Sequence, residues 1–63
     1  MKAQEIRELS QDELINKESE LREEIFNLRI QIATQQTTNV ARIRILKRDL
    51  GRVLTIKKEK GLN

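Results

Sequence analysis

Gln35-Gln36-Thr37-Thr38-Asn39 is a run of five polar residues, and on either side of it apolar residues recur at helical spacing. A connection this short between two amphipathic segments makes them antiparallel neighbours, because helix–helix links in bundles span only a few residues. Asn39 closes the run with a side chain that caps helix N-termini well, so a second helix is expected to begin there. The fold class that follows is all-α. It is a long antiparallel two-helix hairpin, with helices at about 10–35 and 40–60 and a turn at about 36–39.

On the N-terminal side, Leu14, Leu21 and Leu28 recur every seven residues, with Ile25 and Ile32 three or four positions from them. They form one stripe, interrupted by a single charge at Glu18. Its start is marked by Leu9-Ser10-Gln11-Asp12-Glu13-Leu14. Ser10 can accept from the Glu13 backbone while the Glu13 side chain reaches back, Leu9 and Leu14 can staple, and Asp12 and Glu13 suit the positive end of the helix dipole. A helix from Ser10 to Gln35 would be about 39 Å long, so an elongated molecule is expected.

On the C-terminal side, Val40, Ile43, Leu46, Leu50, Val53 and Leu54 follow helical spacing, and the run ends near Lys60-Gly61 with basic residues in its last turn. Ile43, Leu46, Leu50 and Leu54 are expected to meet the leucine stripe, and Ile45 and Ile56 to point away from it. Gly51, inside this helix, costs about 1 kcal/mol relative to alanine, a cost that often marks close packing. Before Ser10, Ile6 and Leu9 permit a short helix at about 2–8 folded against the hairpin. Residues 1–63 then form a single unit without internal repeats.

A chain of 63 residues has a thin core, and such chains usually rely on disulfides, metals or a partner. Cysteine and histidine are both absent, which removes disulfides, thiolate metal sites and the usual general base. Neither a cofactor, a metal nor a small-molecule substrate is expected. Glu23 and Glu24 are no acid–base pair either, since helix neighbours point about 100° apart. No apolar run approaches the roughly 18 residues of a membrane span, and the opening residues lack the apolar stretch of a signal peptide, so a soluble intracellular protein without a membrane partner is expected.

Net charge is +3, but it is unevenly spread. Residues 1–39 carry eight acids against five bases, whereas residues 40–63 carry eight bases against two acids, Asp49 and Glu59. Arg44, Arg48 and Arg52 are spaced by four and form one ridge on the side away from the apolar stripe, flanked by Arg42 and Lys47 and extended by Lys57 and Lys58. Guanidinium forks bind phosphate oxygens through two hydrogen bonds, and counterion release supplies much of the affinity for a polynucleotide. The bland alternative is a solvated face whose arginines pair with first-helix glutamates such as Glu20 or Glu24. Few acids in the second helix, and arginine along the ridge, favour nucleic acid. Two rivals remain: a coiled-coil protein-interaction module that dimerises through the same leucines without nucleic acid, and a DNA-binding hairpin.

Phe26, Ile30 and Ala33 also share a helical face, roughly 130° around from the main stripe. One hairpin partner cannot cover both faces. Either the N-terminal turns with Ile6 cover the second one, or another macromolecule does, which makes these residues protein-interface candidates.

Several blocks together resemble the bacterial-type large-subunit ribosomal protein twenty-nine family. They are Phe26-Asn27-Leu28-Arg29, Gln31, Ala33-Thr34-Gln35, Asn39, Ala41-Arg42-Ile43-Arg44 and Lys47-Arg48-Asp49-Leu50-Gly51-Arg52-Val53-Leu54-Thr55, with Met1-Lys2-Ala3 and Glu8-Leu9-Ser10 resembling the family's start. The resemblance implies a structural, non-enzymatic constituent of the large ribosomal subunit, with a short N-terminal helix on a long hairpin. It implies binding to large-subunit ribosomal RNA near the mouth of the peptide exit tunnel, in a cytoplasmic ribosome or one in an organelle of bacterial descent. Implied neighbours are large-subunit protein twenty-three and the nascent-chain chaperones or targeting particle that dock nearby. Carried over by position, Arg29, Asn39, Arg42, Arg44, Arg48 and Arg52 are RNA contacts, with Thr34 and Gln35 near the turn and Lys47 beside the ridge. Two positions depart from the family pattern: Val40 replaces a common proline, and Gly51 a frequent alanine.

Overall fold

Ser10 and Asn39 each stand immediately before a long helix and cap it with their own side chains. In the computed structural model, which describes residues 1–61, three helices follow one another: α1 (Ala3–Arg7), α2 (Gln11–Ala33) and α3 (Val40–Glu59). The last two residues of the expected 1–63 unit lie outside the described residues.

At the start of α2 the capping box is complete. Ser10 Oγ accepts from the Glu13 backbone N–H at 3.2 Å, and Glu13 Oε1 accepts from the Ser10 N–H at 3.0 Å. Two N–H groups that a helix start leaves orphaned are thereby satisfied. These bonds also hold the Glu13 carboxyl below its ordinary pKa, the backbone N–H contributing most.

α2 ends at Ala33, where its apolar positions end and two residues short of the expected Gln35, for a reason that no glycine announces. Gln36 N–H donates to the Gln31 carbonyl at 2.8 Å and Gln35 N–H to the Ile32 carbonyl at 3.1 Å, with Gln35 at φ 60°. That pair of bonds is a Schellman stop, normally built on glycine because a left-handed residue with a Cβ is disfavoured by about 1–2 kcal/mol. The chain then re-enters a helix within a few residues. Thr37 Oγ1 accepts from the Asn39 N–H at 3.2 Å, Val40 N–H donates to the Thr38 carbonyl at 2.8 Å, and Asn39 Oδ1 accepts from the Arg42 N–H at 3.2 Å.

Across the seam α2 and α3 run antiparallel: Arg42 near the start of α3 reaches Glu24, and Lys57 near its end reaches Glu18. The core is Ile6, Leu14, Leu21, Ile25, Leu46, Val53 and Ile56, with Ala3, Leu9, Leu28 and Leu50 packed against it. Burying such a side chain contributes roughly 1.5–3 kcal/mol. The molecule measures 39 × 17 × 14 Å, as elongated as the helix lengths require.

Two seam assignments are corrected. Ile56, expected to point away, is 2% exposed, whereas Leu54, expected in the seam, is 36% exposed. The cause is α1, which packs on α3 and buries Ile6 completely, so that the buried face of α3 is rotated toward it through Leu46, Asp49, Val53 and Ile56. A five-residue helix is far too short to persist alone, and α1 is held by this docking. Gly51 is corrected too: a Cβ there would meet nothing within 4 Å, so no neighbour in the chain accounts for the glycine.

Candidate nucleic-acid interface

Arg44, Lys47, Arg48 and Arg52 are all exposed, on the side of α3 turned away from α2 or at its margin. Helical geometry puts them there. The buried positions 46, 49, 53 and 56 occupy one stripe; residue 44 falls on the opposite arc and 48 roughly 120° from the stripe's centre, whereas 52, expected to turn away with them, sits at the stripe's margin on the α1 side. Only Asp49 and Glu59 could neutralise α3 from within, and Asp49 is 8% exposed and faces the core.

The basic residues separate into two groups by what already holds them. Arg42 Nη2 lies 3.5 Å from Glu24, an exposed pair of the kind the bland reading anticipates. Arg52 donates to the Met1 carbonyl and lies 4.0 Å from Asp49, so it is tied to the N-terminal segment. Lys57 Nζ donates to Glu18 at 2.7 Å, and this bond, outweighing the opposing effect of burial, holds the Glu18 carboxyl below its ordinary pKa. Among the described residues, by contrast, Arg29, Arg44, Lys47 and Arg48 make no ion pair and no side-chain hydrogen bond. Four exposed cations without internal partners are charge that only a ligand or solvent can meet.

The turn residues have structural work of their own. The Thr34 hydroxyl donates back to the Ile30 carbonyl at 2.9 Å. Gln35 takes the left-handed conformation of the helix stop with its side chain exposed. Asn39 spends Oδ1 on the cap and keeps its amide N–H groups for a partner.

Phe26, Ile30 and Ala33 are exposed, Phe26 at 64% and Ile30 at 46%. Because α1 docks on α3, it does not cover them, which removes one of the two explanations weighed above. A shallow groove runs beside Phe26 between the long helices, lined by Arg22, Ile25, Phe26, Arg29, Lys47 and Leu50. A second groove lies between α1 and α3 and is lined by Arg7, Arg48, Arg52, Gly51 and smaller neighbours.

Sequence reasoning missed Arg7 and Arg22, because α1's docking on α3 and the packing of α2 on α3 decide what stands beside them. It also missed the Met1 ammonium, which donates to Asp49 Oδ1 at 3.0 Å. One sequence feature could have flagged Asp49: an acid at the same spacing as Leu46, Val53 and Ile56 inside a basic helix. No cluster of potential metal ligands occurs among the described residues, and no helix is long and apolar enough to cross a membrane.

A sequence model of the family described as Ribosomal L29 protein matches residues 4–60, nearly the whole chain, with α2 and α3 complete and all of α1 but its first residue. The chain belongs to the ribosomal L29 protein family. It is therefore a ribosomal protein, a structural component rather than an enzyme. Curated relatives agree. A protein named large ribosomal subunit protein uL29 from Caldanaerobacter subterraneus subsp. tengcongensis is 53% identical over 62 residues, covering 98% of this chain and 94% of its own. Proteins of the same name from Natranaerobius thermophilus and Corynebacterium efficiens are 51% and 50% identical; the first alignment covers 100% of this chain and 97% of the relative, the second 95% and 79%. As a ribosomal protein it associates with the large subunit and its RNA.

Proposed function

We propose that this protein is a structural constituent of the large ribosomal subunit that binds ribosomal RNA with the outer face of α3, near the peptide exit tunnel, and so supports translation. The observation carrying this reading is the set of exposed arginines Arg44 and Arg48, with Lys47 between them, that no group among the described residues neutralises. Their guanidinium forks suit phosphate oxygens, and their spacing along a rigid helix suits successive phosphates. Arg29, Thr34, Gln35, Asn39, Arg42 and Arg52 extend the contact toward the turn and the N-terminal segment. Large-subunit protein twenty-three is the neighbour the family resemblance implies, and nascent-chain chaperones or a targeting particle would dock close by.

The coiled-coil alternative has less to stand on. Leu14, Leu21 and Ile25, which a dimer would need, are already buried within one chain. The decisive experiment replaces Arg44 and Arg48 by glutamine, sparing Arg52 because of its bonds to the N-terminal segment. The expected result is unchanged helicity, a shallower salt dependence of RNA binding and poor incorporation into large subunits. Incorporation at the native level would overturn the reading.

A further inference from the structure

Phe26 is the chain's one aromatic residue, and at 64% it is the most exposed large apolar side chain among the described residues. Nothing in the fold requires it, since the seam beside it is already closed by Ile25, Leu46 and Leu50. Around it lies a groove of about 300 Å³ with Ile25 and Leu50 at its base and Arg22, Arg29 and Lys47 along its edges. Arg29 and Lys47 have no internal partner among the described residues, and Arg22 shares Glu18, at 3.6 Å, with the closer Lys57. An aromatic plate fringed by three cations is the outcome.

That composition discriminates between possible occupants. The core of a protein–protein contact favours aromatic residues and arginine but is depleted of lysine, and burying three cations of one sign against an apolar partner would be strongly unfavourable. A single-stranded polynucleotide matches both halves of the groove: its bases have flat π-faces that stack on aromatic rings, and its phosphates take the cations. Lys47 belongs both to the groove and to the outer face of α3, so the two contacts are continuous along the molecule.

We propose that this groove is a second RNA contact, where an unpaired nucleotide stacks its base on the Phe26 ring while its flanking phosphates meet Arg22, Arg29 and Lys47. Ile30 and Ala33, one turn and two turns further along α2, carry the apolar surface on toward the hairpin turn and receive the adjoining sugar. The proposal rests on the reading that α3 binds ribosomal RNA, and its test separates the two.

The chain has no tryptophan and no tyrosine, so Phe26→Trp introduces a unique fluorophore at the groove. Protein-free large-subunit RNA is titrated into this full-length variant while binding is followed independently by gel retardation. Retardation is expected to coincide with strong quenching of the indole, because a stacked base quenches it. Phe26→Leu in the otherwise native chain should weaken binding about tenfold, and Phe26→Tyr should restore it. Phe26 packs against little, so helicity by circular dichroism should be unchanged in each variant. Retardation without quenching, with the leucine variant binding as tightly as the native chain, overturns the stacking contact and leaves the α3 reading intact. A blue shift that appears only when other subunit proteins are added identifies a protein occupant and also overturns it. Absence of retardation overturns both.

Discussion

The two broad faces of the hairpin differ in where their charges find partners. On the face that carries α1, most cations are satisfied within the chain: Met1 on Asp49, Arg52 on the Met1 carbonyl, Arg7 on Glu59, and Lys60 on the carbonyls of Arg7 and Leu9. Arg48, at its edge, is the exception among those that line the α1 groove. Apolar groups there are covered as well, Ile6 and Ile56 being almost wholly buried. On the open face, Phe26 and Ile30 are exposed, and Arg29 and Lys47 are unpaired among the described residues. Five residues of helix make the difference. The α1 face resembles a small finished protein, and the open face resembles one side of an interface.

The comparison predicts stability responses of very different size to removing a large apolar side chain. Leu14→Ala removes a side chain that is 0% exposed, and such core truncations cost about 2–5 kcal/mol, most or all of what a chain this short can spare. Phe26→Ala, on the open face, should change the stability of the free protein by no more than about 0.5 kcal/mol. Urea unfolding followed by circular dichroism measures both. A Phe26→Ala cost comparable to that of Leu14→Ala would mean that the open face is part of the folding core, and the contrast between the faces would be lost.

A smaller effect is expected at the ion pair beneath α1. Asp49 is 8% exposed, and its carboxylate accepts from the Met1 ammonium at 3.0 Å with Arg52 beyond. Hydrogen bonds to charged groups contribute about 1.5–3 kcal/mol, so Asp49→Asn should destabilise the protein by roughly 2 kcal/mol and loosen α1 selectively. Hydrogen exchange should show faster opening at Ile6 and Arg7 than in the middle of α2. Uniform acceleration along the chain would show instead that α1 and the hairpin unfold as one unit.

How much of this was legible in the sequence depends on whether a feature is local or produced by packing. The Ser10 and Asn39 caps, the leucine stripe and the antiparallel hairpin follow from spacing alone, since helix periodicity and capping chemistry act over a few residues. The stop at Gln35 was not legible, because its left-handed residue is a glutamine where the usual marker is glycine. The exchange of Leu54 for Ile56 in the seam was hidden for a different reason. A helical stripe wide enough to face one neighbour is read correctly only when every neighbour is known, and α1 adds a second one. In the candidate site, the exposure of Arg44 and Arg48 was readable from spacing by four. Which arginines are free and which are tied, Arg42 to Glu24 and Arg52 to Met1, depends on tertiary geometry that no local pattern encodes.

The mildest expected effect lies on the seam that joins the two faces. Glu18 interrupts the leucine stripe, yet Lys57 donates to it at 2.7 Å, with both side chains less than one-fifth exposed. That hydrogen bond depresses the Glu18 pKa from its ordinary 4.5, aided by the charges of Lys57 and Arg22 and opposed by burial. A carboxyl whose pKa is lower in the folded than in the unfolded chain favours folding only while it is ionised. Its contribution is therefore fully present above about pH 4.5 and is lost as pH falls through the depressed value. Glu18→Gln should cost up to about 1 kcal/mol at neutral pH, and the gap from the native chain should close in acid. Glu13 loses its own contribution over the same acid range in both proteins, so it cancels from the comparison. Thermal melts from neutral to strongly acidic pH would check this. If the gap stayed constant throughout, the ionisation of Glu18 would contribute nothing, and the seam would be held by its apolar stripe alone.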